Sequence, residues 1–421
     1  MSPFRLVLSF TALAAALAFG AIQRAEAQRH LPPDGGPGGG GPGVPTLTSQ
    51  QLLGQSIFLD TSLSTPDGQS CASCHDPGTG WADARNVLDP FNGPTSEGVV
   101  AGRFGRRNSP AVTYGDFAPP FHFDVLTGMY VGGRYWDGRA PNPLEQAKLP
   151  FLDHVEMNNH GPRNVVLAVR KSSYAGLFEA LFSRDIWKDE DLAFDRIAEC
   201  LAAFQASHVL NRFNSRYDRY RAGDVPALTP WERSGLALFE GRGGCAGCHP
   251  SQVRPGVGRP LFTTYRYYNL GVPKNPRNPF YDMPPPINPA GHDYVDLGLG
   301  GTLGIESENG KFKVPSLRNV DLTPPYMHNG AFGTLYDAVM FHNTRDTDSR
   351  WGPPEVPWNI ATGPTTARSV PTPEGPTMPP HPGEPPVGGQ GRIGDLMLGA
   401  GEVDQIVAYL KALSDGPPPA P

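Results

Sequence analysis

Two five-residue motifs, "CASCH" at 71–75 and "CAGCH" at 245–249, constrain this chain more than anything else in it. Two cysteines separated by two residues, with a histidine directly after the second, form the attachment signature for c-type haem. The thiols of Cys71 and Cys74, and those of Cys245 and Cys248, would add to the vinyl groups of a haem. His75 and His249 would then sit under the two irons as proximal ligands. A domain of this kind needs only short helices and many turns, because the haem supplies much of its apolar core. The abundance of glycine (51) and proline (48) suits such a loop-rich, mainly α architecture.

The chain has five cysteines, and the two motifs account for all but Cys200. No disulfide framework can be built from what is left. Cys200 lies in "RIAECLAAF", where Ile197, Cys200, Leu201 and Phe204 share one helical face, so it reads as a buried core thiol. The first 27 residues have the form of a cleaved secretory signal: Arg5, an apolar run from Leu6 to about Ile22, then "AEA". No later segment approaches the ~20 uninterrupted apolar residues of a membrane span. Export to the periplasm agrees with c-type haem, which is attached outside the bacterial cytoplasm. A net charge of −6 argues against a nucleic-acid partner.

The two motifs are introduced by matching stretches. "LTSQQLLGQSIF" starts at Leu47 and "LTPWERSGLALF" at Leu228. Leu47/Leu228, Thr48/Thr229, Gly54/Gly235 and Phe58/Phe239 all keep one offset (228 − 47 = 181). Each threonine is placed to cap a helix. Each half has an Arg-Asn element after its motif, "RRNSPAV" at 106–112 and "VPSLRNV" at 314–320, and each ends in an amphipathic helix near 194–207 or 401–414. The chain therefore reads as a tandem duplication of a cytochrome c-like domain. Its expected parts are a signal peptide (1–27), a flexible Gly/Pro-rich segment (28–46), an N-terminal haem domain (47–222) and a C-terminal haem domain (223–415). A proline-rich insert near 352–391 interrupts the second domain.

With "YWDGRA" at 135–140, a Gln ten and a Glu twenty residues beyond Trp136, and "KVPSLRNVDLTPPYMHNG" at 313–330, the chain strongly resembles the bacterial di-haem cytochrome c peroxidase/MauG family. The resemblance covers nearly all of the chain outside the leader and the Gly/Pro-rich segments. It implies that Trp136 lies between the haems as an electron relay. It also implies that Gln146, Pro150 and Glu156 line the distal side of the N-terminal haem. A carboxylate there can carry a proton between the two peroxide oxygens, and an amide can hold peroxide and a water in place.

Many family peroxidases carry a removable histidine ligand eight residues before the Asn of the "RNSP" phrase. Here that position is Val100, so the N-terminal iron is expected to be five-coordinate at rest, as in MauG-like members. His122, His154 and His160 are near in sequence and could intrude on that iron, but each reads first as a surface or supporting residue. In the family the sixth ligand of the C-terminal haem stands fourteen residues after the histidine of the "YMH" phrase. That position is His342, with Met327 as the alternative, and His328 reads as structural or near a propionate. Resemblance also implies a calcium ion held by Asn108, Thr323 and the carbonyl of Pro325.

The expected activity is reduction of hydrogen peroxide to water by a periplasmic enzyme with two covalent haems, fed by a small cytochrome c or copper protein. The resemblance suggests a homodimer. The alternatives are a MauG-like peroxide-dependent oxidase of a protein or small molecule, and a non-catalytic di-haem electron carrier. A peroxide pocket on the N-terminal haem would have no use in the last of these.

Overall fold

The computed structural model describes residues 46–356 and 392–416. The expected signal peptide, the Gly/Pro-rich segment up to residue 45, and residues 357–391 of the insert lie outside the described residues. Eight helices of eight residues or more appear among the described residues. They are α1 (Ser49–Leu59), α2 (Pro143–Leu152), α3 (Pro162–Lys171), α4 (Ala175–Phe182), α5 (Glu190–Gln205), α6 (Pro230–Glu240), α7 (Leu335–Thr344) and α8 (Ala400–Lys411). None is long and apolar enough to cross a membrane. Among the described residues, strand content is confined to two small antiparallel pairs: β1 (His122–Asp124) with β2 (Met129–Val131), and β3 (Tyr267–Tyr268) with β4 (Phe312–Lys313). The chain is helix-rich, as expected.

Both threonine caps form. Thr48 and Gln51 exchange side-chain and backbone hydrogen bonds at the start of α1, and Thr229 and Glu232 do the same at α6. Such a capping box satisfies two of the backbone N–H groups that a helix start leaves without partners. Helix α1 then packs on α5, and α6 on α8. The contacts are alike to the tenth of an ångström. A Cβ at Gly54 would lie 1.9 Å from the carbonyl oxygen of Cys200, and one at Gly235 would lie 1.9 Å from that of Gln405. In both places only glycine lets the helix backbones meet.

Around these pairs grow two apolar cores. One gathers Leu53, Ile57, Val165, Ile197, Cys200 and Phe204. The other gathers Leu228, Phe239, Phe262, Ile406, Tyr409 and Leu413. Fully burying one such side chain stabilises the fold by about 1.5–3 kcal/mol. Cys200 is fully buried, as its helical face predicts.

The Arg-Asn elements tie distant parts of the chain together. The Arg107 guanidinium makes a bidentate contact with Asp296, at 2.6 and 2.7 Å, and also reaches Asp137 at 2.6 Å. Arg318 grips Asp218 with two bonds of 2.9 Å, both partners buried. Asn108 receives the indole N–H of Trp136 on its carbonyl, at 2.9 Å, and donates its side-chain amide to the Pro325 carbonyl at 2.8 Å. Tyr114 donates its hydroxyl to Asp415.

Candidate active site

Both haem motifs fold into a single helical turn that ends at the histidine. The backbone N–H of His75 donates to Cys71 at 3.0 Å, and that of His249 to Cys245 at 2.9 Å. Each imidazole then meets a main-chain carbonyl: His75 Nδ1 reaches Trp81 at 3.2 Å, and His249 Nδ1 reaches Phe262 at 2.8 Å. A carbonyl can only accept, so Nδ1 carries the proton and Nε2 keeps its lone pair. Trp81 and Phe262 both adopt left-handed backbone conformations, with φ of 65° and 52°. That conformation is uncommon for bulky residues. Here it turns the carbonyl toward the imidazole while each ring enters its core, Trp81 edge-on to Phe58 and Phe262 edge-on to Tyr217.

Both histidines line a continuous cavity of about 720 Å³, as do all four motif cysteines. Burial holds both imidazoles in the neutral, ligand-competent form and pushes His249 down to about 4, aided by the nearby His342 imidazole. Burial also pushes the thiols of Cys71, Cys74 and Cys245 up to about 12.

On the wall near Cys71 and Cys74 stand Gln146, Pro150, Glu156 and Trp136. Their arrangement has a local cause. Pro150 sits inside α2 and cannot donate a backbone hydrogen bond, which frees the carbonyl four residues earlier. That carbonyl belongs to Gln146, and the Tyr135 hydroxyl reaches it at 3.4 Å. Tyr135 has φ of 62°, and the Arg139 guanidinium lies 3.5 Å over its ring.

Glu156 is the most altered acid of this wall. Burial pushes its carboxyl up to about 7, repulsion from Asp153 adds to the rise, and Arg139 and Arg106 oppose it. Its backbone carbonyl is anchored by the N–H of Val99, at 2.9 Å. Val100 does not line the cavity, and neither do the exposed His122 and His160, whereas exposed His154 does.

The wall near Cys245 and Cys248 is different. His342 lines it from α7 and donates Nδ1–H to the Ala338 carbonyl at 2.7 Å, which leaves Nε2 as a lone pair. Met327 also lines the cavity, with φ of 71°. Its neighbour His328 is buried, stacked on Phe312 at 3.5 Å, with Nε2 lying 3.8 Å from a Glu355 carboxylate oxygen.

Elsewhere on the cavity wall, buried groups are left short of partners. Lys313 donates Nζ to the Gly133 carbonyl, and burial lowers its amine to about 7. Arg134 has only a 3.5 Å contact with Asp116, and the buried Tyr265 hydroxyl has no partner among the described residues. Two under-neutralised cations and a spare hydroxyl suit the carboxylates of a prosthetic group. With apolar walls and two paired cysteine–histidine motifs, the cavity fits haem.

A family profile described as di-haem cytochrome c peroxidase matches residues 48–226. The methylamine utilization protein MauG of Paracoccus denitrificans is 36% identical, the match covering 86% of this chain and 88% of that protein. Cytochrome c551 peroxidase of Pseudomonas aeruginosa is 30% identical over 75% of this chain and 77% of its own. In structure, the diheme peroxidase BthA of Burkholderia thailandensis matches with a TM-score of 0.70 and 31% identity, covering 87% of this chain and 86% of that one. This chain belongs to the di-haem cytochrome c peroxidase family.

Membership makes it an oxidoreductase of the peroxidase type, with two haems as cofactors. Beside the expected residues, this di-haem peroxidase places Tyr135, Arg139, Arg134, Tyr265 and Lys313 in the cavity wall. Sequence spacing gave no sign of Arg134 or Tyr265, whereas Lys313 opens the quoted phrase at 313–330. Tyr135 and Arg139 flank Trp136 in the quoted motif and were open to recognition there. Thr323 donates its hydroxyl to the Val320 carbonyl at 3.3 Å, and Asn108, Thr323 and Pro325 all line the cavity.

Proposed function

We propose that the chain is an exported, periplasmic peroxidase that reduces hydrogen peroxide to water with electrons from a small cytochrome c or copper protein. Cys71, Cys74, Cys245 and Cys248 would hold two haems covalently, with His75 and His249 as proximal ligands, in two tandem cytochrome c-like domains meeting near residue 222. The equal helix contacts at Gly54 and Gly235 support the duplication. His342 would complete the C-terminal site, and its bonded Nδ1 and free Nε2 support that choice over Met327. A bound calcium would use Asn108, Thr323 and the Pro325 carbonyl, with the Asn108 amide turned to present oxygen.

The observation that carries the reading is the contrast between Glu156 and His342. One cavity wall offers a proton-exchanging acid, with Val100 away from the cavity at the position of the removable histidine, and the other offers an imidazole. Haem iron, when bound, supplies the redox chemistry that cleaves the peroxide bond. Glu156 takes the proton of one peroxide oxygen and returns it to the other, a task suited to a carboxyl that titrates near neutral pH. Gln146 orients peroxide through its amide. Trp136, fixed by its indole bond to Asn108, lines the cavity and would pass electrons between the two haems.

Val100, away from the cavity, supports a second reading: an open N-terminal site that holds oxidising equivalents for a protein or small-molecule substrate, as in MauG-like members. Mixing the loaded protein with peroxide and reduced cytochrome c or copper protein separates the two. Two donor equivalents oxidised per peroxide is the expected result. Peroxide consumption that no reduced donor accelerates would favour the oxidase, and no consumption would overturn both.

A further inference from the structure

A column of aromatic rings leads from the Trp136 turn to the protein surface. It begins at Tyr267 in β3, which pairs with Lys313, whose own N–H donates to the Trp136 carbonyl at 2.8 Å. Tyr267 is buried and gives its hydroxyl to Gly132 at 2.6 Å. The Phe121 ring meets it edge-on at 6.0 Å, and Tyr130 stacks on Phe121 at 5.4 Å with 5° between the planes. Phe123 closes the column edge-on to Tyr130 at 5.0 Å.

The column abuts the "WDG" backbone itself. Gly138 has φ of 73°, and a Cβ there would lie 2.4 Å from the Tyr267 hydroxyl and 2.8 Å from the Phe121 ring. Any side chain at 138 would push the first two rings away from the Trp136 turn. The far end stands in solvent. Residues 122–131 form a hairpin with Phe123 at 48% exposure and Val125 and Leu126 at 81% and 83%. Tyr130 is half-buried, and no described residue bonds its hydroxyl. Offset-stacked and edge-to-face rings are ordinary packing geometries. What sets this set apart is that it starts beside Trp136 and ends on a residue that can be oxidised at the surface.

We propose that Tyr267, Phe121 and Tyr130 form an electron route that ends at Tyr130, so that Tyr130 is the residue oxidised when peroxide outruns the reductant. The proposal rests on the peroxidase reading. Each peroxide delivers two oxidising equivalents. Tyr130 loses one electron inward, which consumes one of them, and releases its phenolic proton to solvent. The resulting phenoxyl radical then reacts with a nearby trap or with a second Tyr130 radical, forming a ring carbon–carbon bond.

The test is peroxide treatment of the haem-loaded protein without donor, in the presence of a nitroso spin trap, followed by peptide mass mapping. Trap mass on the Tyr130 peptide is expected. It should be lost in Tyr130→Phe and in Phe121→Leu, and suppressed when reduced donor is present. Consumption of peroxide with trap mass elsewhere, or with Tyr130 labelling untouched by Phe121→Leu, would overturn the route and leave the peroxidase reading standing. Absence of peroxide consumption would overturn both. Thermal melts of the two variants that match the parent show that any loss of label is not unfolding.

Discussion

Beside the N-terminal motif the chain sets a carboxyl and an amide on the cavity wall, Glu156 and Gln146; beside the C-terminal motif it sets an imidazole, His342. Everything beneath is shared. Both helices start from a threonine capping box, both pack through a glycine with the same 1.9 Å demand, and both histidines point Nδ1 at a left-handed aromatic residue. What the two regions share lies in the scaffold under each histidine, and what differs lies in the wall across the cavity. Chemistry is varied where the chain is loop and short helix, and the packed helix pairs are left alone.

The sharpest way to break the comparison is His342→Ala. It should convert the haem on His249 from low-spin to high-spin, read by EPR, and leave the signal of the other haem unchanged. If instead Met327→Ala removes the low-spin signal and His342→Ala does not, the sixth ligand has been misassigned. Glu156→Gln should slow peroxide-driven oxidation by roughly 100-fold with haem content unchanged, the size expected of a lost general acid–base.

The rate in the parent protein should rise as pH passes through about 7, where Glu156 gives up its proton, and the variant should be flat. The sign for stability is the reverse. An unfolded carboxyl ionises near 4.5, whereas folded Glu156 keeps its proton to about 7, so the folded state binds more protons between those values. Stability contributed at this site is present below 4.5 and is lost as pH rises through 7. Glu156→Gln should therefore melt higher than the parent at pH 8.

Smaller effects test what the halves share. Arg107→Met leaves Asp296 buried without its cation, while Asp137 keeps Arg139, and Arg318→Met leaves Asp218 buried without its own. Each should cost about 3 kcal/mol or more in denaturant unfolding of the loaded protein. Gly54→Ala and Gly235→Ala should each cost about 1–3 kcal/mol, by pushing one helix off its partner. Unequal values for the glycine pair would show that the two helix contacts are not equivalent.

Much of this was legible in the sequence because it is local or periodic. The haem motifs, the capping threonines, the core face of Cys200 and the matched helices all follow from spacings within about a dozen residues. The resemblance pointed to Gln146 and Glu156 by their distance from Trp136, and both line the cavity. The rest depends on chain partners far apart. Lys313 meets Gly133 across 180 positions, and Arg107 meets Asp296 across 189. The Tyr265 hydroxyl is left without a hydrogen-bond partner among the described residues by tertiary packing alone. No motif or helical period marks the hairpin at 122–131, whose strands are only three residues each. The start of the proline-rich insert is also more ordered than its composition suggests. Glu355 and Val356 are buried, and Glu355 accepts the N–H of Asp296 at 3.2 Å.

The left-handed turns at Trp81 and Phe262 make one residue serve two ends at once. The ring is a core side chain, and the carbonyl on the same residue accepts from the imidazole Nδ1–H, which would raise the histidine's strength as an iron ligand. A replacement with a smaller ring would let the backbone relax toward ordinary dihedrals and swing the carbonyl off Nδ1. Thermal stability and the electron-donating power of each histidine are thus a single heritable trait. Variants selected for one at these two positions will carry a change in the other.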